Sequence, residues 1–385
     1  MTLADLHSDE ALRQHEFPVT RHGIFVAHAG VCPLPRRVAE AMTGYLHRCT
    51  EVDQYEAMPG GLLPDTRAKA ASLIGARPEE IALVGPTSLA LSYIAAGLPW
   101  RRGDNVLVCY DDYPSNVYPW MALSERGVEV RFLNLRELGK VRAVDVQGQV
   151  DEQTRLVSLA SAHYLTGWRV NIDAIGKFLH SRRILFCVDA IQTLGAFPLS
   201  VEHVDFLAAD SHKWLLGPSA AGILYVRKEL QDRLQPIVHG WHNLQCPDFL
   251  TQEELEFQPD ARRYEVGTHD MAGVAGLRAA LELVEEIGVR VIAADLVRKR
   301  TWVVEGLISQ GFEVLQPSPH LDNAGGSISF HREGIDSAEL YGKLRAASIT
   351  PSLRVLPGGQ KVVRLSPHFY NTDAELARVL EVLKG

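Results

Sequence analysis

The stretch LAADSHKWLLGPSAAGILYVR, residues 207–227, sets a lysine at 213 between the polar tripeptide Asp210-Ser211-His212 and a tryptophan. Strand-like apolar runs flank it, Val204–Ala209 before and Gly222–Val226 after, so Lys213 falls in a connection between two core strands. Two readings of it stand side by side. It is a solvated or snorkelling loop lysine, or it is a desolvated amine, nucleophilic near neutral pH, as Schiff-base chemistry with a carbonyl requires. Working outward, the runs IALV (81–84), NVLVCY (105–110), VEVRFL (128–133), RLVSLA (155–160) and ILFCVDA (184–190) are equally short and rich in β-branched and aromatic residues. Strands buried on both faces of a parallel sheet read this way. Helical patterns lie between several of them, at Ser88–Gly97, Asn116–Arg126 and Ile172–Ser181. The alternation predicts an α/β fold, a large and mostly parallel mixed sheet sandwiched by helices.

After Gly288 the pattern changes. A long helix over roughly 289–309 is followed by FEVLQP, GSISFH, a helix from Ser337 to Ala347, VVRLSP and a closing helix from Thr372. This predicts a smaller α+β C-terminal domain with two or three strands. The expected division is a large domain over 18–288 and a small one over 289–385, joined by residues 1–17, with the long helix rather than a flexible tether between them.

Composition bounds the function. The chain has 385 residues, 46% hydrophobic and 22% charged, with a formal net charge of -8. Basic residues are neither in excess nor gathered in runs, which argues against a nucleic-acid or anionic-membrane partner and for small-molecule chemistry. The five cysteines (Cys32, Cys49, Cys109, Cys187, Cys246) are widely spaced and form no CxxC pair. Small buried thiols in a reducing cytoplasm are the economical reading. The polar N-terminus MTLADLHSDEALRQ does not resemble a secretory signal, and no apolar run approaches the ~20 residues of a membrane span.

Open α/β sheets bind ligands at the carboxyl ends of their strands. ILFCVDAIQ ends such a strand on Asp189, with Gln192 just beyond. A carboxylate at the mouth of an apolar strand either caps the turn that follows or meets a cation or proton donor. Asp189 on a pyridinium nitrogen, together with a Schiff-base lysine at 213, is what a protein contributes to pyridoxal 5′-phosphate chemistry.

Here the sequence resembles a family. VDAIQTLGAFPLSVEHVDFLAADSHKWLLGPSAAGILYVR is similar to the pyridoxal-phosphate signature of the class V aminotransferases, the fold-type I group that includes cysteine desulfurases, selenocysteine lyase, kynureninase and isopenicillin N epimerase. FVAHAGVCPLPRRVAEAM, VGPTSLALSYIAAGL, GDNVLVCYDDYPSNVYPW, RRYEVGTHDMAGVAGL and VVRLSPHFYNTDAEL resemble, in order, its opening segment, phosphate-binding turn, ring-stacking loop, dimer-contact segment and carboxylate-binding segment.

The resemblance implies roles residue by residue. Lys213 would form the Schiff base with pyridoxal 5′-phosphate and Asp189 would pair with the pyridine nitrogen. Gln192 would donate to the phenolic oxygen, as would Tyr164 of HYLTG, with His163 a competing choice. Tyr113 would stack on the ring. Thr87 and Ser88, at a helix start, would meet the phosphate, and His212 would add a donor. Gly267 and Thr268 would reach the phosphate of a neighbouring subunit, so a homodimer with shared active sites is implied. Arg364 would grip the α-carboxylate of a small amino-acid substrate; its alternative is a structural ion pair with an acidic residue of the large domain. Where the desulfurases carry a serine three residues before the lysine, this chain has Asp210, expected to bond backbone or a basic neighbour.

The departures bear on the reaction. The segment ASITPSLRVLPGGQK, where desulfurases place a nucleophilic cysteine, has none, which disfavours a persulfide-forming desulfurase. His239, His242 and Cys246 of HGWHNLQC read as a substrate loop rather than a metal site, and no metal is expected. The leading expectation is an aminotransferase. The alternative is a lyase (C–S, selenocysteine or kynureninase-like) or an epimerase on the same cofactor, and the last is a cofactor-binding protein without turnover.

Overall fold

The computed structural model describes residues 1–384. All seven apolar runs of the large sheet are strands: β1 (Ile81–Val84), β2 (Asn105–Cys109), β3 (Glu129–Leu133), β4 (Thr154–Ala160), β5 (Leu185–Asp189), β6 (Phe206–Asp210) and β7 (Gly222–Val226). They lie in the order β1-β7-β6-β5-β4-β2-β3. Every pairing is parallel except those of β7, which runs against both β1 and β6. Every residue of β2, β5, β6 and β7 is buried, as strands covered on both faces require;. Since β7 alone is reversed, β1, β2, β5 and β6 all end at the same edge.

The helix expected over Asn116–Arg126 is not continuous. It resolves into 3-10 turns at Pro114–Asn116 and Ala122–Arg126 around one short α-helix, Tyr118–Met121. Pro114 and Pro119 each remove a backbone donor and favour first-turn positions, so the segment restarts rather than extends. The helices Ile172–Ser181 and Val289–Ser309 have the predicted bounds.

A second sheet has four strands, one more than the sequence suggested: Glu313–Val314, Ile328–His331, Ser352–Val355 and Lys361–Leu365. Ser352–Val355 and Ile328–His331 both pair antiparallel with Lys361–Leu365. The N-terminal part of the chain is tied to this sheet's neighbourhood. Ile24–Phe25 pairs with Ile349–Thr350, and the Val26 and His28 N–H groups donate to Thr350 and Ser366 carbonyls at 3.0 and 3.2 Å. Phe17 stacks on Tyr370 with ring centroids 4.2 Å apart. Among the described residues no helix is long and apolar enough to cross a membrane.

Candidate active site

The loops that leave β1, β2, β5 and β6 converge on one cavity of about 300 Å³, closed from the other side by residues 29–31 and by the four-stranded sheet. Thr87, Ser88, Tyr113, Tyr164, Asp189, Gln192, His212, Lys213 and Arg364 all line it. Of the residues singled out in the sequence, Gly267 and Thr268 do not. They line a second cavity of about 230 Å³ beside Gly85 and Leu89, where the Thr268 hydroxyl is 3.3 Å from Tyr55.

Lys213 follows the end of β6 by three residues and is 7% exposed. Its Nζ stands 5.2 Å from the centroid of the Tyr113 ring. Burial holds the amine down at about 8; Asp189 opposes that shift, and Arg364 and Arg354 reinforce it;. Such an amine is partly unprotonated near neutral pH, as attack on a carbonyl needs. The buried reading of Lys213, not the solvated one, describes the residue.

Asp189 is the last residue of β5. Burial pushes its carboxyl up to about 7 and Asp112 adds to the rise, while Lys213 counters it;. One oxygen accepts the Ile191 N–H at 3.0 Å, so Asp189 closes the turn as well as facing the cavity. Asp112 sits behind it, accepting from the Tyr113 and Ala160 N–H groups and the Asn116 amide at 2.7, 3.2 and 2.9 Å. Ala160 is the register partner of Asp189, which brings the two carboxylates together.

Gln192 is oriented by Trp214. The indole N–H can only donate, and it donates to the Gln192 carbonyl oxygen at 2.9 Å;. The amide nitrogen therefore takes the other side, donating to the Ala29 carbonyl at 3.3 Å and keeping a second N–H. Tyr113 and Tyr164 meet edge to face, centroids 5.5 Å apart;. His163 is buried elsewhere, with Nε2 2.9 Å from the Asp111 carbonyl.

The helix Thr87–Gly97 begins at the cavity without a side-chain cap, because its N-cap residue is Pro86. The Thr87 hydroxyl accepts the Asp210 N–H at 2.9 Å, and Ser88 donates to Ser115 at 2.8 Å. The Leu89 N–H donates to the Pro86 carbonyl at 2.9 Å, and the Thr87 and Ser88 N–H groups are left for an anion, where the helix dipole favours one;. Asp210 takes the Ser211 and Ala220 N–H groups at 2.7 and 3.0 Å and lies 2.8 Å from His212 Nδ1. Backbone and a basic neighbour satisfy it, as expected.

Arg364 is 1% exposed. Its Nη1 donates to the Tyr164 carbonyl at 2.6 Å, while Nε and Nη2 have no partner among the described residues. Burial, with Arg354 nearby, lowers its proton affinity to about 9. The ion pair with the large domain, the alternative reading of this arginine, is not formed.

A family model described as aminotransferase class-V matches residues 24–379. The chain belongs to the class V aminotransferase family. A probable cysteine desulfurase of Methanothermobacter thermautotrophicus is 29% identical, with 96% of each chain covered. The uncharacterized aminotransferase YcbU of Bacillus subtilis is 29% identical over 82% of this chain and 81% of its own. The apo structure of cysteine desulfurase from Thermococcus onnurineus NA1 superposes with a TM-score of 0.87 at 25% identity, covering 96% of both chains.

Class V members use pyridoxal 5′-phosphate, and the donor set fits it: a buried low-affinity amine for the aldehyde, a carboxylate at the strand mouth for the ring nitrogen, and an uncapped helix start for the phosphate;. Sequence reasoning missed Arg354 and Ser115, which also line the cavity, and the orienting role of Trp214. His239, His242 and Cys246 do not converge. His242 instead joins His269 around Glu265, at 3.7 and 3.0 Å, and Glu265 is already bound by Arg67 at 2.5 Å.

Proposed function

We propose that the protein is a pyridoxal-phosphate-dependent lyase that cleaves the Cβ–sulfur bond of an L-amino acid, acting as a cytoplasmic homodimer. The observation that carries this is the opposed pair in one cavity, the depressed amine of Lys213 and the unpartnered guanidinium of Arg364. Arg364 holds the α-carboxylate through parallel N–H donors, and this fixes the Cα–H bond. Lys213 takes the Cα proton and is the group placed to move it onward. Asp189 keeps a proton on the ring nitrogen. When bound, pyridoxal phosphate supplies the electron sink that stabilises the negative charge left at Cα.

The names of the relatives favour sulfur chemistry over the transamination expected first. Where the sulfur goes follows from the cysteines. None lines the cavity: Cys32 is buried with its thiol pushed up to about 12 by desolvation, and Cys246 donates to the Leu250 carbonyl at 3.3 Å. With no thiolate acceptor, the sulfur leaves to solvent as a thiol. An S-substituted L-cysteine and one water then give the thiol, pyruvate and ammonia. The homodimer reading draws on Gly267 and Thr268, which line a cavity apart from their own Lys213. The cytoplasmic one draws on five free cysteines.

The test is product analysis with S-ethyl-L-cysteine. Equal yields of ethanethiol, pyruvate and ammonia are expected, with loss of turnover by at least about 10³-fold in Lys213→Ala. Amino transfer to an added keto acid without thiol release would establish a transaminase instead. Alanine together with an enzyme persulfide would establish a desulfurase.

A further inference from the structure

Arg354 lies on Ser352–Val355, the strand that pairs antiparallel with the one carrying Arg364. Arg354 is opposite Val362 and Arg364 opposite Ser352, so the two arginines share a face as diagonal neighbours, within reach of each other's long side chains;. Both line the Lys213 cavity. A Cβ built on Gly30 would lie 3.4 Å from Arg354 Nη2 and 3.8 Å from Arg364 Nη2, so both guanidiniums close on one point. Neither has a carboxylate within ion-pair distance among the described residues, and Arg354 Nε, Arg364 Nε and Arg364 Nη2 are buried without any partner.

Two adjacent guanidiniums repel, and each desolvated cation left unpaired costs several kcal/mol. Elsewhere buried cations are answered: Arg67 is paired with Glu265, Lys299 with Asp295 and Arg13 with Glu375, and Arg300, which has no carboxylate, donates to the Ser327 and Gln316 carbonyls. One α-carboxylate satisfies one guanidinium fork. We infer that Arg354 is a specificity-determining residue, and that the substrate is an L-amino acid bearing a second acid group on its side chain, with Arg354 taking that group while Arg364 takes the α-carboxylate. The inference rests on the reading of Arg364 given above and adds the substrate class to it.

Amine-free acids test this without turnover. Calorimetric titration of the holoenzyme with succinate and glutarate, against butyrate and pentanoate, reads the second anion alone. At least one dicarboxylate is expected to bind about tenfold or more tightly than its monocarboxylate counterpart, the worth of one charged hydrogen-bonded contact. In Arg354→Gln that preference should fall to within about threefold with monocarboxylate affinity unchanged, and Arg354→Lys should restore part of it. Thermal denaturation of both variants is expected to match the wild type. Equal binding of di- and monocarboxylates, or of neither, by the wild type overturns the proposal. So does an equal loss of both ligand classes in Arg354→Gln, since both arginines would then share one carboxylate. Failure of the lyase reading would show instead in the products from S-ethyl-L-cysteine, which lacks the second acid and is expected to be cleaved more slowly than S-(2-carboxyethyl)-L-cysteine, and would leave this affinity ratio as it is.

Discussion

Two lysines are buried in this molecule beside aspartates, and their surroundings are opposite. Lys299, 0% exposed, stands 2.5 Å from Asp295 and donates to the His368 and Phe369 carbonyls at 3.3 and 2.9 Å. Lys213 has Asp189 only as a more distant influence, an aromatic face beside its amine, and no ion pair. Burial lowers the proton affinity of both. At Lys299 the amine is answered by Asp295 of its own helix and by two carbonyls of the turn before the last helix, and these two bonds hold Val289–Ser309 against that turn. At Lys213 the donors are kept free for a ligand. A buried charge with all its partners supports the fold, and one without them stores reactivity.

The comparison can be broken in three ways, the largest effect first. Lys299→Met should cost about 3–5 kcal/mol in denaturant unfolding, because Asp295 remains buried with only Arg298 at 2.9 Å to answer it;. A loss below 1 kcal/mol would show that the pair carries no fold-supporting role. Lys213→Met in the cofactor-stripped protein should go the other way. The folded-state affinity of Lys213, about 8, lies below its ordinary 10.5, so its stability penalty is fully present below pH 8 and is relieved as pH rises toward 10.5;. The variant should therefore be more stable than the wild type at pH 7, by about 1–3 kcal/mol, with the advantage vanishing by about pH 10.5. A pH-independent difference would remove the titration of Lys213 as its cause. The smallest effect is in the double variant Lys299→Met/Asp295→Leu, expected to recover about 1–2 kcal/mol of the single variant's loss because no unanswered carboxylate remains. Simple additivity of the two substitutions would refute the coupling.

These contrasts mark what could be read in the sequence. The seven strands of the large sheet were legible because each is a short, wholly apolar run, and the cavity wall was legible because its residues follow strand ends. Asp189 ends a β-rich run, and Thr87 and Lys213 lie three positions beyond one, which is where such sheets place their ligands;. Residues 116–126 misled because the apolar spacing is helical while Pro119 interrupts the backbone ladder. Ser352–Val355 was missed since half-exposed SLRV carries no run of apolar residues, and with it went Arg354. Nothing local distinguishes Lys213 from a loop lysine in water. Its burial comes from chain segments far away in sequence, including Ala29–Val31 and the strand holding Arg364.

The pairing of Ile24–Phe25 with Ile349–Thr350 has a mechanical consequence. Hydrogen bonds to Thr350 and Ser366 stitch residues 26 and 28 in place, so the backbone running on to Gly30 is a rigid extension of the smaller sheet's frame. Gly30, Arg354 and Arg364 are thus one jaw; Lys213, Asp189 and the helix start at Thr87 are the other. The Cys32 N–H to the His212 carbonyl at 2.8 Å and the Gln192 amide to Ala29 cross between them. The two guanidiniums stand on neighbouring paired strands of one sheet, so strand register sets their spacing, while these bonds and the one from Arg364 to the Tyr164 carbonyl set their distance from the amine.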